Sequence, residues 1–495
     1  MTNSQQKELL EAMFKIEGDK VEVQQMGLIH LLQEMGFGIC RDEKSPYNNQ
    51  LILNNSNVIE VFNERNLANM LVSLMREHKL DPKLIEKFVR GSGGYLALNK
   101  LQFLNSTNVN ILKDTREETY LPFMNCLVKV SKFGCQIIDY KDIEGQILSD
   151  TRIKRDFNRL ETSDGCNFKE FCRMITGRNE LRFKSLQSIL GYLLHTNKEA
   201  QENKIVLLYD AEIGSKTSAN GGTGKTLLIN GAIKQLRNVV IVDGKRYDDR
   251  SNRFLYQNVN PSTNIVLFDD VNDKFKLEDI FSVSTGDFEV EKKGKQSFVL
   301  DYKYAPKFVV SSNREVKMIA GSSSERRKIE LVLDNVFNAE HTPKDYFNEI
   351  FFSDDWDEDT FNNFFDFMFE CIAFYHKNGI MKGTTEELLN QRLIGLIGKD
   401  SFEMIQDIEK HFNDEWLEKR EVLEFLKEIS TTDITSHQMT KDIKRYCNYK
   451  GIDYNEKNSG SVLKFKLCDS KLISNNRVVS NGVLVKNIQK GAPNE

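Results

Sequence analysis

Two rhythms of apolar residues alternate along the chain. One repeats every three to four residues, over Leu28 to Gly38, Leu67 to Met75, Phe168 to Thr176, Leu186 to His195 and Leu227 to Ile233, and predicts helices. The first of these ends at a glycine C-cap, and the stretch up to about Leu104 predicts small helices with some short strands. The other rhythm is a short apolar run bounded by polar or turn residues: Ile205 to Tyr209, Val239 to Val242, Ile265 to Phe268, Phe308 to Val310, and Ile329 to Leu333 broken by Glu330. Such runs, alternating with helical segments, predict the buried strands of a parallel sheet. Between these two regions, Tyr120 to Val130 reads as a turn and a strand, and Gln136 to Tyr140 as a second strand.

Beyond the last run, Asp354 to Gly379 is an aromatic-rich helix with Phe361, Phe364, Phe365, Phe367, Met368, Ile372 and Phe374 on its apolar face. From about Thr384 the pattern gives helices over Glu421 to Ile429 and Ser436 to Cys447, the second with Ser436 as its N-cap. Strands follow over Ser461 to Leu467 and Val483 to Val485. This order suits either a winged helix, with Lys441, Lys444, Arg445 and Lys450 towards phosphate, or an ordinary α+β tail. The expected fold class is α/β: a P-loop core with a parallel sheet, a helical N-terminal domain and a small C-terminal α+β domain. Expected boundaries are 1–118, 119–200 (a linker or collar), 201–382 (the ATPase domain) and 383–495.

Composition narrows the class. A length of 495 residues allows two to four domains with real cores. A net charge of −5 excludes a wholly basic nucleic-acid coat and leaves room for a local basic channel. Eight cysteines without a Cys-x-x-Cys pair point to reduced thiols rather than a disulfide framework or zinc ribbon. No apolar run approaches the roughly 18 residues that span a bilayer, and residues 1–8 lack signal-peptide character. A cytoplasmic protein with no membrane partner is expected.

Chemistry concentrates around Asn220-Gly221-Gly222-Thr223-Gly224-Lys225-Thr226, which follows one apolar run and opens a helix. Strand, Gly-rich loop and Gly-Lys-Thr form the setting of a phosphate-binding P-loop. Glycines let successive N–H groups turn towards one anion, Lys225 reaches the β- and γ-phosphates, and the Thr226 hydroxyl ligates Mg²⁺. Ala219 stands where the first glycine of the pattern is usual. The plainer alternative is a Gly-rich turn that caps a helix. Asp269 and Asp270 close the next-but-one apolar run in the manner of a Walker B strand, Asp269 for Mg²⁺ and Asp270 to polarise the attacking water. Asn313, after Phe308-Val309-Val310, occupies a sensor position from which an amide reaches both γ-phosphate and water. Val290 to Leu300 reads as a hairpin presenting Lys292, Lys293 and Lys295 around Gly294. Arg326 or Arg327, ahead of the last strand, reads as an arginine finger for a neighbouring nucleotide. Solvated turns and surface arginines are the alternatives for these last two. His195, ending its helix, reads as a capping or packing histidine.

Taken together, Gly-Gly-Thr-Gly-Lys-Thr, Val-Asp-Gly-Lys, Phe-Asp-Asp-Val, Glu-Lys-Lys-Gly-Lys, Ala-Pro-Lys, Ser-Ser-Asn and Ser-Glu-Arg-Arg resemble signatures of the superfamily 3 helicases of the AAA+ class. The chain looks most like the helicase part of primase–helicase proteins of phages and mobile elements. The resemblance covers roughly Tyr120 to Leu333, with a weaker echo to Gly379. It implies an AAA+ core using ATP and Mg²⁺, a homo-hexameric ring on single-stranded and forked DNA, and a basic hairpin lining the ring's channel. It also implies a replicative helicase, in the host cytoplasm if phage-encoded, with a separate primase or polymerase as a further partner. The region before Tyr120 is too short, and lacks the carboxylate and histidine set, for primer synthesis. An AAA+ replication initiator or a packaging or remodelling motor without helicase activity is the alternative.

Overall fold

The computed structural model describes residues 2–43, 47–160, 165–199, 202–211, 224–247, 253–272, 274–294, 297–313, 316, 326–338, 340–383, 386–429, 434–460 and 462–468. The architecture is mixed α/β, with parallel pairings in two of its sheets.

The N-terminal part is α+β rather than helical. Helices Asn3–Ala12, Gln25–Glu34, Glu64–Glu77 and Pro82–Tyr95 pack with a five-stranded sheet. Its strands run in the order Ile147–Leu148, Val58–Phe62, Leu51–Asn55, Phe37–Cys40, Ser106–Thr107. The helix expected from Leu28 to Gly38 stops at Glu34. Gly36 takes a φ of 95°, and Phe37–Cys40 becomes a strand buried at every position. A backbone turn that glycine allows thus converts the tail of a helical pattern into the sheet's core strand.

A three-stranded antiparallel sheet follows, Glu118–Pro122, Leu127–Ser131 and Gly134–Ile138. Tyr120 to Pro122, expected as a turn, is therefore a strand. This sheet packs on the aromatic helix Glu358–Asn378, with the Phe123 and Phe365 rings 4.9 Å apart and those of Phe157 and Phe369 5.1 Å apart. Helix Glu180–Leu194 lies against the same helix so closely that a Cβ on Gly191 would sit 2.2 Å from the Cys371 carbonyl oxygen. Expected to be amphipathic, it is instead buried on nearly every face, because the aromatic helix covers the side that would otherwise meet water.

The central sheet is wholly parallel. Strands Val239–Asp243, Ile265–Asp269, Lys307–Ser312, Ile205–Asp210 and Lys328–Leu333 lie side by side in that order. Alternate side chains feed two cores: Val206, Leu208, Leu267 and Val309 join the cluster under the aromatic helix, while Leu207, Tyr209, Phe268 and Val310 join the cluster on the other face. Two buried faces are why these strands read as continuous apolar runs. Val239–Asp243 departs from expectation. It is the edge strand, and Ile241 is 39% exposed.

The C-terminal part has its own core, built on helices Glu386–Ile397, Lys399–His411, Lys419–Ile429 and Ser436–Lys450. Its antiparallel sheet runs Leu417–Glu418, Val462–Cys468, Asp453–Ser459. The last helix is capped by Thr435, whose hydroxyl accepts the Gln438 N–H, and not by Ser436. Gly451 ends it in the left-handed conformation. Val462–Cys468 pairs with the strand before it across Gly460, and the Val483 to Val485 strand expected from the sequence lies outside the described residues. Arg392 ties this part to the central sheet: 2% exposed, it meets Glu330 at 2.6 Å and lies 4.8 Å over the Tyr209 ring. Among the described residues no helix is long and apolar enough to cross a membrane.

Candidate phosphate-handling site

The order of the central strands decides what meets at their C-terminal edge. Lys307–Ser312 lies between Ile205–Asp210 and Ile265–Asp269, so the residue after it stands between the ends of its two neighbours. That residue is Asn313. Its side-chain oxygen accepts from the Lys225 ammonium at 2.5 Å, and its amide donates to Asp270 Oδ1 at 3.3 Å. Lys225 also pairs with Asp210 Oδ2 at 2.5 Å, and Asp270 Oδ2 pairs with Lys245 Nζ at 2.9 Å. A continuous chain of charge and hydrogen bonding therefore crosses four strand ends. Lys225, Asn313, Asp269 and Asp270 are brought together as the sequence suggested. Asp210 and Lys245 were not anticipated. The spacing of Asp210 from the loop gave no signal, whereas Lys245 stood in the Val-Asp-Gly-Lys signature without an assigned part.

Two local devices hold the carboxylates. Ser311 Oγ donates to Asp269 Oδ1 at 2.7 Å and accepts the Asp270 N–H at 2.8 Å, so one hydroxyl locks both residues. Asp270 itself takes a φ of 53°, a left-handed conformation that Asp tolerates better than most residues and that turns its carboxylate off the strand. Gly244 makes room for this turn: a Cβ there would lie 2.6 Å from the Asp269 carbonyl oxygen and 2.8 Å from Val271 Cα.

Gly224 has a φ of 92°, and a Cβ on it would lie 2.6 Å from Phe171 Cζ, so conformation and space both call for glycine. Thr226 is exposed at the start of the following helix. The Leu227–Ile233 segment is wound as a π-helix, a rare winding often found at functional sites. Gly221, Gly222 and Thr223 lie outside the described residues, as does Ala219.

The remaining candidates lie elsewhere. Arg326 and Arg327 precede Lys328–Leu333 at the sheet's opposite edge, where the Arg327 carbonyl accepts the Ile205 N–H. Six residues of strand separate that edge from Asp210, about 20 Å at strand rise. The Arg327 guanidinium sits 5.4 Å over the Phe281 ring and is half-buried, whereas Arg326 is exposed. In the hairpin of Phe288–Val290 and Phe298–Leu300, Lys293 is exposed beside Gly294, which has a φ of 69°. Lys292 is not splayed outwards: its ammonium lies 5.2 Å over the Phe298 ring. Lys295 lies outside the described residues. In the C-terminal part, Lys441 and Lys444 are exposed, but Arg445 donates to the Leu396 carbonyl and Lys450 pairs with Glu386.

His195 is a buried packing residue that meets Thr119 Oγ1 at 2.8 Å and Asp114 at 3.5 Å. Burial would raise the Asp114 carboxyl, but Arg237, His195 and the Thr196 N–H hold it well below the usual range.

A family model described as "Family of unknown function (DUF5906)" matches residues 217–327, from the Gly-rich loop to Arg327. No curated protein matches the chain. Two solved structures similar to it are "The A form apo structure of NrS-1 C terminal region-CTR", at 11% identity and a TM-score of 0.38, and "The A form apo structure of NrS-1 C terminal region-CTR(305-718)", at 12% and 0.34. The alignments cover 89% and 90% of this chain and 99% of each of those.

Proposed function

We propose that the chain is an NTP hydrolase with an AAA+ core that drives a DNA helicase of the superfamily 3 kind. The observation that carries the reading is Asn313 bridging Lys225 and Asp270, with its strand inserted between theirs. A lytic water held by Asp270 would then face a phosphate held by Lys225, with the Asn313 amide in reach of both. Without nucleotide, Asp210 neutralises Lys225. Binding of a triphosphate exchanges that carboxylate for phosphate oxygens. Thr226 and Asp269 would hold Mg²⁺, and the donor set fits a hard cation that takes one or two protein oxygens beside phosphate and water. When bound, the ion would neutralise charge developing on the phosphate oxygens. Lys245 and Ser311 keep Asp270 and Asp269 oriented.

Arg326 and Arg327, on the far edge of the sheet, have no route to this chain's own site, and a neighbouring subunit of a ring supplies one. Of the two, the exposed Arg326 is the better finger. The hairpin with Lys292 and Lys293 faces single-stranded DNA. A second reading, a replication initiator whose ATPase switches assembly, draws on the C-terminal order of helix, strand, two helices and hairpin, which is that of a winged helix.

Strand displacement on 3′- and 5′-tailed forks with Mg-ATP separates the two: a helicase unwinds one of them, and an initiator neither. Mixing Arg326→Ala/Arg327→Ala chains with Lys225→Ala chains should restore hydrolysis at mixed interfaces. Full DNA-stimulated turnover by a monomer would refute the ring.

A further inference from the structure

A large cavity among the described residues lies away from the Lys225–Asp270 cluster. It is a cleft of about 1610 Å³ at the other edge of the central sheet, larger than a typical small-molecule pocket. Three parts of the molecule wall it. The N-terminal part brings Tyr47 and Asn110, the segment after the three-stranded sheet brings Arg152 and Lys154, and the connections of the central sheet bring Lys234 and Lys303. Strand Phe298–Leu300 of the hairpin also lines it, so the cleft runs on from the element that carries Lys292 and Lys293.

The lining reverses the sign of the chain. The protein carries a net charge of −5, yet eight Lys and Arg against four Asp face this space. Two of the eight are committed elsewhere. The Lys307 amine donates to the Tyr192 and His195 carbonyls, and Arg237 pairs with Asp114, itself one of the four acids. A second acid, Asp301, accepts the Lys303 backbone N–H at 2.9 Å. Lys154, Lys234 and Lys303 are exposed, and their ammonium groups meet no carboxylate among the described residues. The Arg152 Nε–H is buried without a hydrogen-bond partner among the described residues, a donor that a ligand oxygen would satisfy. Tyr47, Tyr120 and Phe298 add aromatic residues to the lining.

We propose that this cleft binds a single-stranded nucleic acid by its phosphate backbone. Separated cations around a wide cleft, with rings beside them, suit a charged polymer with flat bases better than a compact metabolite. The proposal deepens the DNA reading above by giving the strand a path beyond the hairpin. It needs neither nucleotide nor hydrolysis, so it stands or falls apart from the assignment of Lys225 and Asp270.

The test measures anisotropy of a labelled oligothymidylate with the full chain, without nucleotide, between about 50 and 200 mM salt. Lys154→Ala/Lys234→Ala/Lys303→Ala should weaken binding and make the log–log salt slope shallower by about 2, at about 0.7 per lost phosphate contact. The melting temperature of the variant reports folding. In the unaltered protein, the oligothymidylate should protect Lys154, Lys234 and Lys303 from chemical acetylation, a readout that needs no variant. An unchanged slope, or three lysines acetylated equally with and without the oligonucleotide, overturns the proposal. So does polyglutamate displacing the oligonucleotide at equal charge concentration, which would make the cleft a seat for an acidic peptide.

Discussion

The central sheet carries charge at both of its edges and handles it in opposite ways. At the C-terminal edge, Asp210, Lys225, Asn313, Asp270 and Lys245 form one linked row that is buried at Asp210 and opens to water towards its other end, where the Lys245 side chain is 71% exposed and that of Asp270 35%. At the N-terminal edge, Lys307 is buried against two backbone carbonyls, and Asp114 is nearly fully buried with Arg237 and His195. Several strongly displaced pKa values lie at this buried edge. Burial drives the Lys307 amine far below its ordinary value, and burial with the neighbouring His195 pushes His376 down to about 4. Displaced pKa values often mark functional sites, but here they mark the joint between the sheet and the parts packed on it. Exchangeable partners, not depth of burial, distinguish the edge proposed to take the nucleotide.

The contrast breaks most sharply by substitution at each edge. Lys225→Ala should lower kcat for NTP hydrolysis by at least about 10²–10³, the cost of removing one group that stabilises developing charge. Asp270→Asn should lose turnover similarly while still binding nucleotide, as phosphate release and a fluorescent-nucleotide titration would report. Undiminished hydrolysis by clean protein in either variant sinks the site assignment. At the sealed edge, Asp114→Ala leaves Arg237 buried without its counter-charge and should cost about 3–5 kcal/mol of stability, read by denaturant unfolding. Hydrolysis per folded molecule should persist. A large loss of kcat with unchanged stability would mean that this edge takes part in the chemistry after all.

The same contrast explains what the sequence disclosed. Parallel strands buried on two faces write themselves as apolar runs, so the sheet and the residues at its C-terminal edge were legible in Ile205 to Tyr209, Ile265 to Asp270 and Phe308 to Asn313. Asp210 was not legible, because 14 residues separate it from Lys225 and only the fold closes that gap. Nor was the partnership of Asp114, Arg237, His195 and Lys307, drawn from four distant segments. Phe37 and Gly38 read as the end of the helix before them because the apolar spacing runs on to that point, and only the turn at Gly36 tells helix and strand apart. The tuck of Lys292 over Phe298 depends on cross-strand pairing that composition does not record.

A smaller effect sharpens the comparison within the open edge. If the row there is exchangeable, Asp210 competes with nucleotide for Lys225. Asp210→Asn keeps a hydrogen-bond acceptor but removes the competing charge and its repulsion of phosphate. Nucleotide affinity should rise by about tenfold, equivalent to about 1.4 kcal/mol and within the range of a hydrogen bond to a charged group. Equilibrium titration with a non-hydrolysable triphosphate measures it. Weaker binding would mean that Asp210 pre-positions Lys225 rather than restraining it.

The smallest effect belongs to the sealed edge and appears as pH dependence. His376 Nε2 meets Thr119 Oγ1 at 2.9 Å, and the same hydroxyl meets His195 Nδ1. Burial lowers the pKa of both rings, and His195 also disfavours charge on His376. Lys307 pushes His376 in the same direction, while Asp114 and Glu118 oppose it. The unfolded chain protonates a histidine near its ordinary value of 6.5, but folded His376 resists protonation until about pH 4. Between these values the unfolded state binds more protons, so stability is full above 6.5 and falls as the pH drops towards 4. Asp114, held below its ordinary 3.8, adds its own loss only under that window. His376→Gln can keep a hydrogen bond to Thr119 without a titrating ring. Its melting temperature should therefore decline less steeply than the parent's between pH 6.5 and 4.5, with the two converging in slope above neutrality. Parallel declines through the whole range would show that the ring is already open to protons, and that the edge is less sealed than its packing indicates.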